Sequence, residues 1–149
     1  MRVVLQRVKK ASVEVNTETV AEITHGFCIL LGIEENDEKS DVEWLVNKIC
    51  QLRVFSDHEN KMNLAIDAVN GSVLVVSQFT LHAKTKKGNR PSFVKAAHPD
   101  QAIPLYEFFI QLMKLKVKNV QEGVFGEHME VALVNDGPVT LIIDTKNKE

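Results

Sequence analysis

Three segments of this chain carry residues whose types and spacing suit chemistry. The first is Val76-Ser77-Gln78-Phe79-Thr80-Leu81. An apolar run ending in Ser, Gln and Thr presents polar groups where a sheet meets solvent. Period-two alternation predicts Gln78 and Thr80 on one face, with Ser77 and Phe79 on the other. Such a strand end either contacts a substrate or merely satisfies backbone groups at a terminus. Thr80 is a nucleophile only if an adjacent base or an N-terminal amine activates it. His82 would share its face if the strand continued, but no spacing rule supports that pair.

The second segment is a basic loop with Lys84, Lys86, Lys87, Arg90 and Lys95 around a Gly88-Asn89 turn. Clustered cations grip a phosphate backbone, although a charge run is also an ordinary solvated loop. The third is Asn135-Asp136-Gly137-Pro138, between the apolar runs Met129 to Val134 and Val139 to Ile143. Proline offers no backbone N–H and normally interrupts a sheet. Glycine before it permits a backbone shape that other residues resist. The tetrapeptide is therefore a plain turn or a rigid backbone feature aimed at a ligand. The sequence leaves the isomer of the Gly137-Pro138 bond open.

Other chemistries find little support. No Ser-His-Asp set is recognisable and GxSxG is absent. The five histidines are scattered, without HxH or HExxH, and no Cys/His cluster has metal spacing. Neither a metal nor a cofactor is expected. Cys28 and Cys50 fall in apolar settings and read as small buried hydrophobes. The formal net charge of −2 argues against nonspecific coating of nucleic acid, but not against a local basic surface.

These segments need a scaffold. With 149 residues, one domain spanning 1–149 with a substantial core is the default. No apolar run approaches the ~18 residues that span a bilayer. The stretch from Met1 to Arg7 lacks a signal peptide's long apolar core. No membrane association and a cytoplasmic location are expected.

Val3 to Val8, the alternating Ala11 to Val15, and Thr19 to Ile23 read as strands, with a hairpin turn at Asn16-Thr17-Glu18. Phe27 to Ile33 is nearly all apolar and suits a central strand covered on both faces. Val42, Leu45, Val46, Ile49 and Cys50 form one helical stripe, with Ser40/Glu43 or Asp37 as caps. Phe55 to Lys61 reads as a polar loop, Asn70-Gly71 as a turn, and Ser72 to Leu81 as a strand. Pro99 to Lys116 reads as a second helix, regular from near Ile103 because of Pro104. Two strands flanking Asn135 to Pro138 complete the chain. The predicted class is α+β: a mainly antiparallel, curled, barrel-like sheet with two helices packed on one side.

Together these segments resemble the D-aminoacyl-tRNA deacylases, the D-Tyr-tRNA deacylase family. The likeness begins with Met1 to Val8 and Ala11-Ser12-Val13. Ser77-Gln78-Phe79-Thr80-Leu81 is similar to the family's SQxxL motif. Asn135-Asp136-Gly137-Pro138-Val139-Thr140 is similar to its NxGPxT motif, and Gly88 to Phe93 resembles its GxRPSF segment. The likeness runs to about Asp144.

The resemblance implies a homodimer that hydrolyses the ester between a D-amino acid and the terminal adenosine of tRNA. It implies that Gly137-Pro138 is cis and enters the active site of the other subunit. Carbonyls there would accept from the substrate's α-ammonium and present a wall where an L side chain would project. Such a sieve would tolerate many D-amino acids and leak glycine. Gln78, Phe79 and Thr80 are then the expected catalytic residues, and Ser77, Gly137 and Pro138 the substrate-binding ones. Backbone N–H groups near Gln78 and Phe79 would stabilise the oxyanion, and the tRNA 2′-hydroxyl would orient water. Covalent attack by Thr80 is the competing mechanism. Arg7, Lys84, Lys86, Lys87 and Arg90, with Lys95, are candidate tRNA contacts. A non-catalytic nucleic-acid-binding module is the alternative, disfavoured by the net charge and the lack of interleaved aromatics. A general esterase would act on simple esters without tRNA.

Overall fold

The computed structural model describes Met1–Glu149. The chain folds in the order β1 (Arg2–Val15), β2 (Glu18–Ile23), β3 (Gly26–Gly32), α1 (Lys39–Gln51), β4 (Phe55–Ser56) and β5 (Met62–Leu64). It continues with β6 (Ser72–Ser77), α2 (Pro99–Lys116), β7 (Asn119–Glu122) and β8 (Glu130–Asp144). The class is α+β, with two helices and a nearly closed, barrel-like sheet.

That sheet is mixed, which departs from the mainly antiparallel expectation. Its order is β2-β1-β3-β6-β7, with β8 beside β1. β1 pairs antiparallel with β2, β3 and β8, whereas β3–β6 and β6–β7 are parallel. A parallel neighbour needs a long crossover. α1 lies in the connection from β3 to β6, and α2 in the connection from β6 to β7. β7 was not anticipated, because Asn119-Val120-Gln121-Glu122 offers one apolar residue and no clear alternation.

Two predicted strands merge into the 14-residue β1. Its register against β8 shifts around Gln6, Val8 and Lys10. Val3 and Leu5 therefore join the core beneath the helices, while Val8, Ala11 and Val13 join a second core inside the curl. The β1–β2 hairpin turns at Asn16 and Thr17, both at positive φ, the geometry of a tight hairpin matched to strand twist.

The α1 stripe is buried at Val42, Leu45, Val46 and Ile49. Its N-terminus is not capped by Ser40 or Asp37. Glu38 takes the cap position, and its N–H donates to Asp41 Oδ2 at 2.9 Å. Asp37 instead accepts from the Glu34 N–H at 2.8 Å. α2 spans the expected Pro99–Lys116, but it is helical from Pro99 and not only from near Ile103. Pro104 is tolerated because it and Asp100, whose carbonyl loses a partner, both face solvent. The predicted polar loop at 55–61 holds part of the small β4–β5 hairpin. No helix is long and apolar enough to cross a membrane.

Candidate functional site

β6 ends at Ser77, four residues earlier than alternation suggests. The Gln78 N–H donates to Leu31 O at 2.8 Å, which completes the pairing with β3. The chain then turns into a single 3-10 turn, Phe79–His82. This overturns the shared strand face proposed for Gln78 and Thr80, yet the two still meet. The Gln78 side-chain amide donates to Thr80 Oγ1. The 3-10 turn arises because Leu81 N–H closes back on Gln78 O and Ala83 N–H on Thr80 O. The Phe79 and Thr80 N–H groups precede the first bond within that turn, as the first donors of any helix do. Gln78 N–H is committed to the sheet, so the donors available to an oxyanion move one residue on, to Phe79 and Thr80.

Thr80 has no base beside it. Its hydroxyl oxygen meets an amide, and His82 Nε2 has no hydrogen-bond partner at all. His82 is itself buried at 4% exposure, carried away from Thr80 by the turn. The thiols offer no substitute. Burial pushes the Cys28 thiol up to about 11. Burial also raises the Cys50 thiol, whose Sγ lies 3.8 Å from Met113 Sδ. No group of three or more His, Cys, Asp or Glu side chains is gathered to hold a metal.

Beside Ser77, Gln78 and Phe79 opens a cavity of about 270 Å³. Leu31 and Val76 of the sheet, with Ile33 just after β3, form an apolar wall, and Phe125, Met129 and Val131 close it from the segment before and within β8. Phe125 is fixed by the Tyr106 ring at 5.5 Å. The Tyr106 hydroxyl donates to Val75 O at 3.3 Å, and burial first, then Glu122, raises its pKa. The 123–129 segment is anchored by the Gly123 N–H to Val75 O, 2.9 Å. Phe79 is 55% exposed and is held edge-on by Phe93 at 5.1 Å. Phe93 ends the Gly88–Phe93 segment singled out by resemblance. The walls at Phe125 and Met129 were missed in the sequence. The two glycines, Gly123 and Gly126, were the available signal of a shaped loop.

Gly137 and Pro138 do not line this cavity. Asn135 to Pro138 is not a turn between two strands, as one reading held. β8 runs unbroken from Glu130 to Asp144, and the Gly137-Pro138 peptide bond is cis. Gln6 pairs with Thr140 and Val8 with Asn135. Between those pairs, Arg7 alone faces Asp136 to Val139, so the segment bulges from the ladder. Gly137 and Pro138 are both exposed on it.

Arg7 explains how the bulge is held. It is buried at 7% exposure, where the expected role was contact with tRNA. Its Nε donates to Asp136 O at 3.0 Å and lies 3.3 Å from Asp136 Oδ2. Its Nη1 donates to Val54 O. The guanidinium thus replaces ladder bonds that the bulge gives up. Gly137 sits at φ +128°, and a Cβ there would come within 3.0 Å of Val139 Cγ2 and 3.2 Å of Arg7 Nη2. Only glycine fits this backbone without displacement.

The remaining basic residues stay on the surface. Lys84 N–H donates to Ser92 O at 2.8 Å and Ser92 N–H to Lys84 O at 3.0 Å, which closes the loop at its base. Lys84, Lys86, Lys87 and Arg90 are exposed and form no ion pair within the chain. β8 pairs with β1 along one edge only, and Val134 (43%) and Ile142 (72%) are exposed on it.

Residues 4–144 match the model of a family described as D-Tyr-tRNA(Tyr) deacylase. The D-aminoacyl-tRNA deacylase of Cytophaga hutchinsonii is 57% identical over 150 residues, covering 100% of both chains. A solved structure titled c-Myc DNA Unwinding Element Binding Protein is 38% identical, with a TM-score of 0.92 over 97% of this chain and 98% of that one. A second, titled as a probable eukaryotic D-amino acid tRNA deacylase, shares the fold at a TM-score of 0.81 and 17% identity. It covers 95% of this chain and 97% of the other.

Proposed function

The chain belongs to the D-Tyr-tRNA(Tyr) deacylase family, and from that membership we propose a division of labour between its two motifs. It is a hydrolase, a D-aminoacyl-tRNA deacylase, with tRNA as the carrier of its substrate. We assign the chemistry to the end of β6 and the choice of enantiomer to the bulge of β8.

The aminoacyl ester is already activated, so few groups are needed. The Phe79 and Thr80 N–H groups donate to the developing oxyanion, where fixed dipoles are most effective. Gln78 holds the Thr80 hydroxyl and shapes the mouth, and Ser77 borders the bound aminoacyl group. The 2′-hydroxyl of the terminal adenosine orients the attacking water. Thr80 is not the nucleophile, because no base touches it.

Selection belongs to Gly137 and Pro138. They are exposed on an edge strand and lie apart from the cavity of their own chain. A second copy of the chain therefore supplies them, through an edge that carries the exposed Val134 and Ile142. Their carbonyls receive the α-ammonium and block the space an L side chain needs. Discrimination then comes from excluding the wrong enantiomer, so D-amino acids are accepted broadly and glycyl-tRNA is also hydrolysed. The whole of 1–149 acts as one domain, in a homodimer in the cytoplasm. The exposed Lys84, Lys86, Lys87 and Arg90 meet the RNA backbone.

The single observation that carries this reading is the pairing of a cavity lacking an activated nucleophile with a glycine-proline bulge clamped by a buried arginine. Release of free tyrosine from D-Tyr-tRNA and from L-Tyr-tRNA tests it. Turnover of the D form alone is expected. The DNA-binding title of one structural relative is the observation favouring a non-catalytic nucleic-acid-binding module. Stoichiometric binding without turnover of either enantiomer would sustain that alternative.

A further inference from the structure

A second cavity, of about 310 Å³, begins where the 3-10 turn ends. Its lining is almost wholly polar, with Ala83 its sole apolar residue. Most of its charges are already matched. Arg2 Nη2 lies 2.8 Å from Asp144 Oδ2, and Lys146 Nζ lies 2.7 Å from Asp41 Oδ2. Glu34 lies 3.8 Å from the Met1 nitrogen, a cation that Asp37 engages more closely. Two lining cations, Lys84 and Lys95, have no carboxylate partner within the chain.

His82 lines the same cavity. It is 4% exposed, and its Nε2 is the one buried side-chain nitrogen or oxygen without a hydrogen-bond partner. Buried polar groups are nearly always satisfied, so an exception calls for a missing partner. In its Nε2–H form the ring donates one hydrogen bond, and Lys84 and Lys95 add charge-assisted donors. Three donors of this kind, two of them lysines without a carboxylate partner, fit an oxyanion. A cation would meet two uncompensated lysines.

The backbone holds these donors in place. Lys84 sits at the closed base of the basic loop. The Lys95 carbonyl accepts from Glu35 N–H at 3.1 Å, and the Ala97 N–H donates to Ile33 O at 3.0 Å. Arg2 Nη1 donates to Leu81 O at 2.8 Å, which fixes the turn that carries His82.

We propose that His82, Lys84 and Lys95 form a phosphate-binding site, one turn of chain from the Phe79–Thr80 backbone. The favoured source of the phosphate is the backbone of the tRNA substrate. In that case the site anchors the RNA beside the cavity that receives its aminoacyl end. Assigning the phosphate to tRNA rests on the deacylase reading; occupancy of the cavity by phosphate does not.

The test titrates inorganic phosphate into the full-length protein and follows the His82 imidazole Nε2 resonance by ¹⁵N NMR. A saturable shift, weakened in Lys95→Ala, is expected. Steady-state kinetics on D-Tyr-tRNA form the second arm. Loss of a charge-assisted hydrogen bond in Lys95→Ala should raise KM by about tenfold with kcat preserved, and phosphate should compete with tRNA. Lys95 is exposed, so this variant avoids the folding risk of replacing buried His82. A saturable shift with unchanged KM and no competition would keep the phosphate site but make its ligand a free phosphate compound. No saturable shift, together with an unchanged KM, would overturn the proposal. Failure of D-Tyr-tRNA turnover with the shift intact would instead count against the deacylase reading.

Discussion

The end of β6 and the bulge of β8 answer opposite structural problems. At Ser77 a buried strand stops because the chain has somewhere to go. Gln78 N–H completes the sheet, the next two N–H groups are left free, and an apolar cavity opens alongside. At Gly137 an edge strand does not stop. It swells outward against one arginine and re-enters the ladder at Thr140. The first region has free donors and a cavity, the second a fixed backbone and no cavity. Neither relies on a reactive side chain. The contrast teaches that free backbone donors beside a cavity and a clamped, exposed backbone bulge sit on different elements, and that Gly137 and Pro138 lie outside the cavity of their own chain.

The sharpest way to break this contrast is to remove the clamp. Arg7→Ala leaves Asp136 O and Val54 O without their donor. Displacement of the bulge should cut kcat/KM on D-Tyr-tRNA about 100-fold and weaken the preference for the D form. A clamp irrelevant to selection would leave the D/L ratio intact. Gly137→Ala should act in the same direction, with a loss of about tenfold or more. The new Cβ meets Val139 and Arg7 at a φ that costs an L residue about 1–3 kcal/mol. Its effect should again fall on the enantiomer ratio, measured on the two charged tRNAs.

Changes at the β6 end should separate side chain from backbone. Thr80→Ala removes a hydroxyl but keeps the N–H, so activity should stay within a few-fold of wild type. A large loss, with an acyl-enzyme trapped in the wild type, would restore Thr80 as nucleophile. Charge reversal at Lys86 and Lys87 should raise KM and flatten its salt dependence, since each phosphate contact contributes about −0.9 to the log–log slope.

The smallest effect is expected at Asp144. Burial alone would raise its carboxyl. The Lys146 N–H and the Arg2 hydrogen bond and charge oppose that and hold it below the usual range. A depressed folded-state pKa contributes stability above the unfolded value, and that stability is lost as pH falls through the folded value. Asp144→Asn should therefore cost about 1 kcal/mol at neutral pH, discounted for the partly exposed Arg2. The difference from wild type should vanish in acid denaturation curves below the carboxylate range. Because Arg2 also holds Leu81 O, any activity change should appear at the β6 end and leave the D/L ratio alone.

How far the sequence reveals these regions depends on how local their causes are. The α1 stripe was legible because 3.6-residue periodicity is written within one segment. The Asn16-Thr17 hairpin was legible for the same reason. The strand at 72–77 was legible, but its end was not: alternation continues through Leu81, and only the turn closed by Leu81 N–H on Gln78 O and Ala83 N–H on Thr80 O ends it. The parallel pairs of β3, β6 and β7 depend on crossovers, and short polar β7 gives no periodic signal. The burial of Arg7, a candidate tRNA contact in the sequence, had no local signal, because its partner Asp136 in β8 lies more than a hundred residues on. The cavity walls at Phe125 and Met129 were invisible for a similar reason. Local pattern alone favoured a turn at Gly137-Pro138. Its pairing with Ser77 to Leu81, through family resemblance, pointed to function, and the structure shows an unbroken strand.

The most direct test sets wild type, Arg7→Ala and Thr80→Ala side by side on D-Tyr-tRNA and L-Tyr-tRNA, following release of free tyrosine. Wild type and Thr80→Ala should release only D-tyrosine, while Arg7→Ala should lose both rate and preference. Equal release of both enantiomers by wild type, or an undiminished D preference in a folded Arg7→Ala, would contradict the assignment of selection to the β8 bulge.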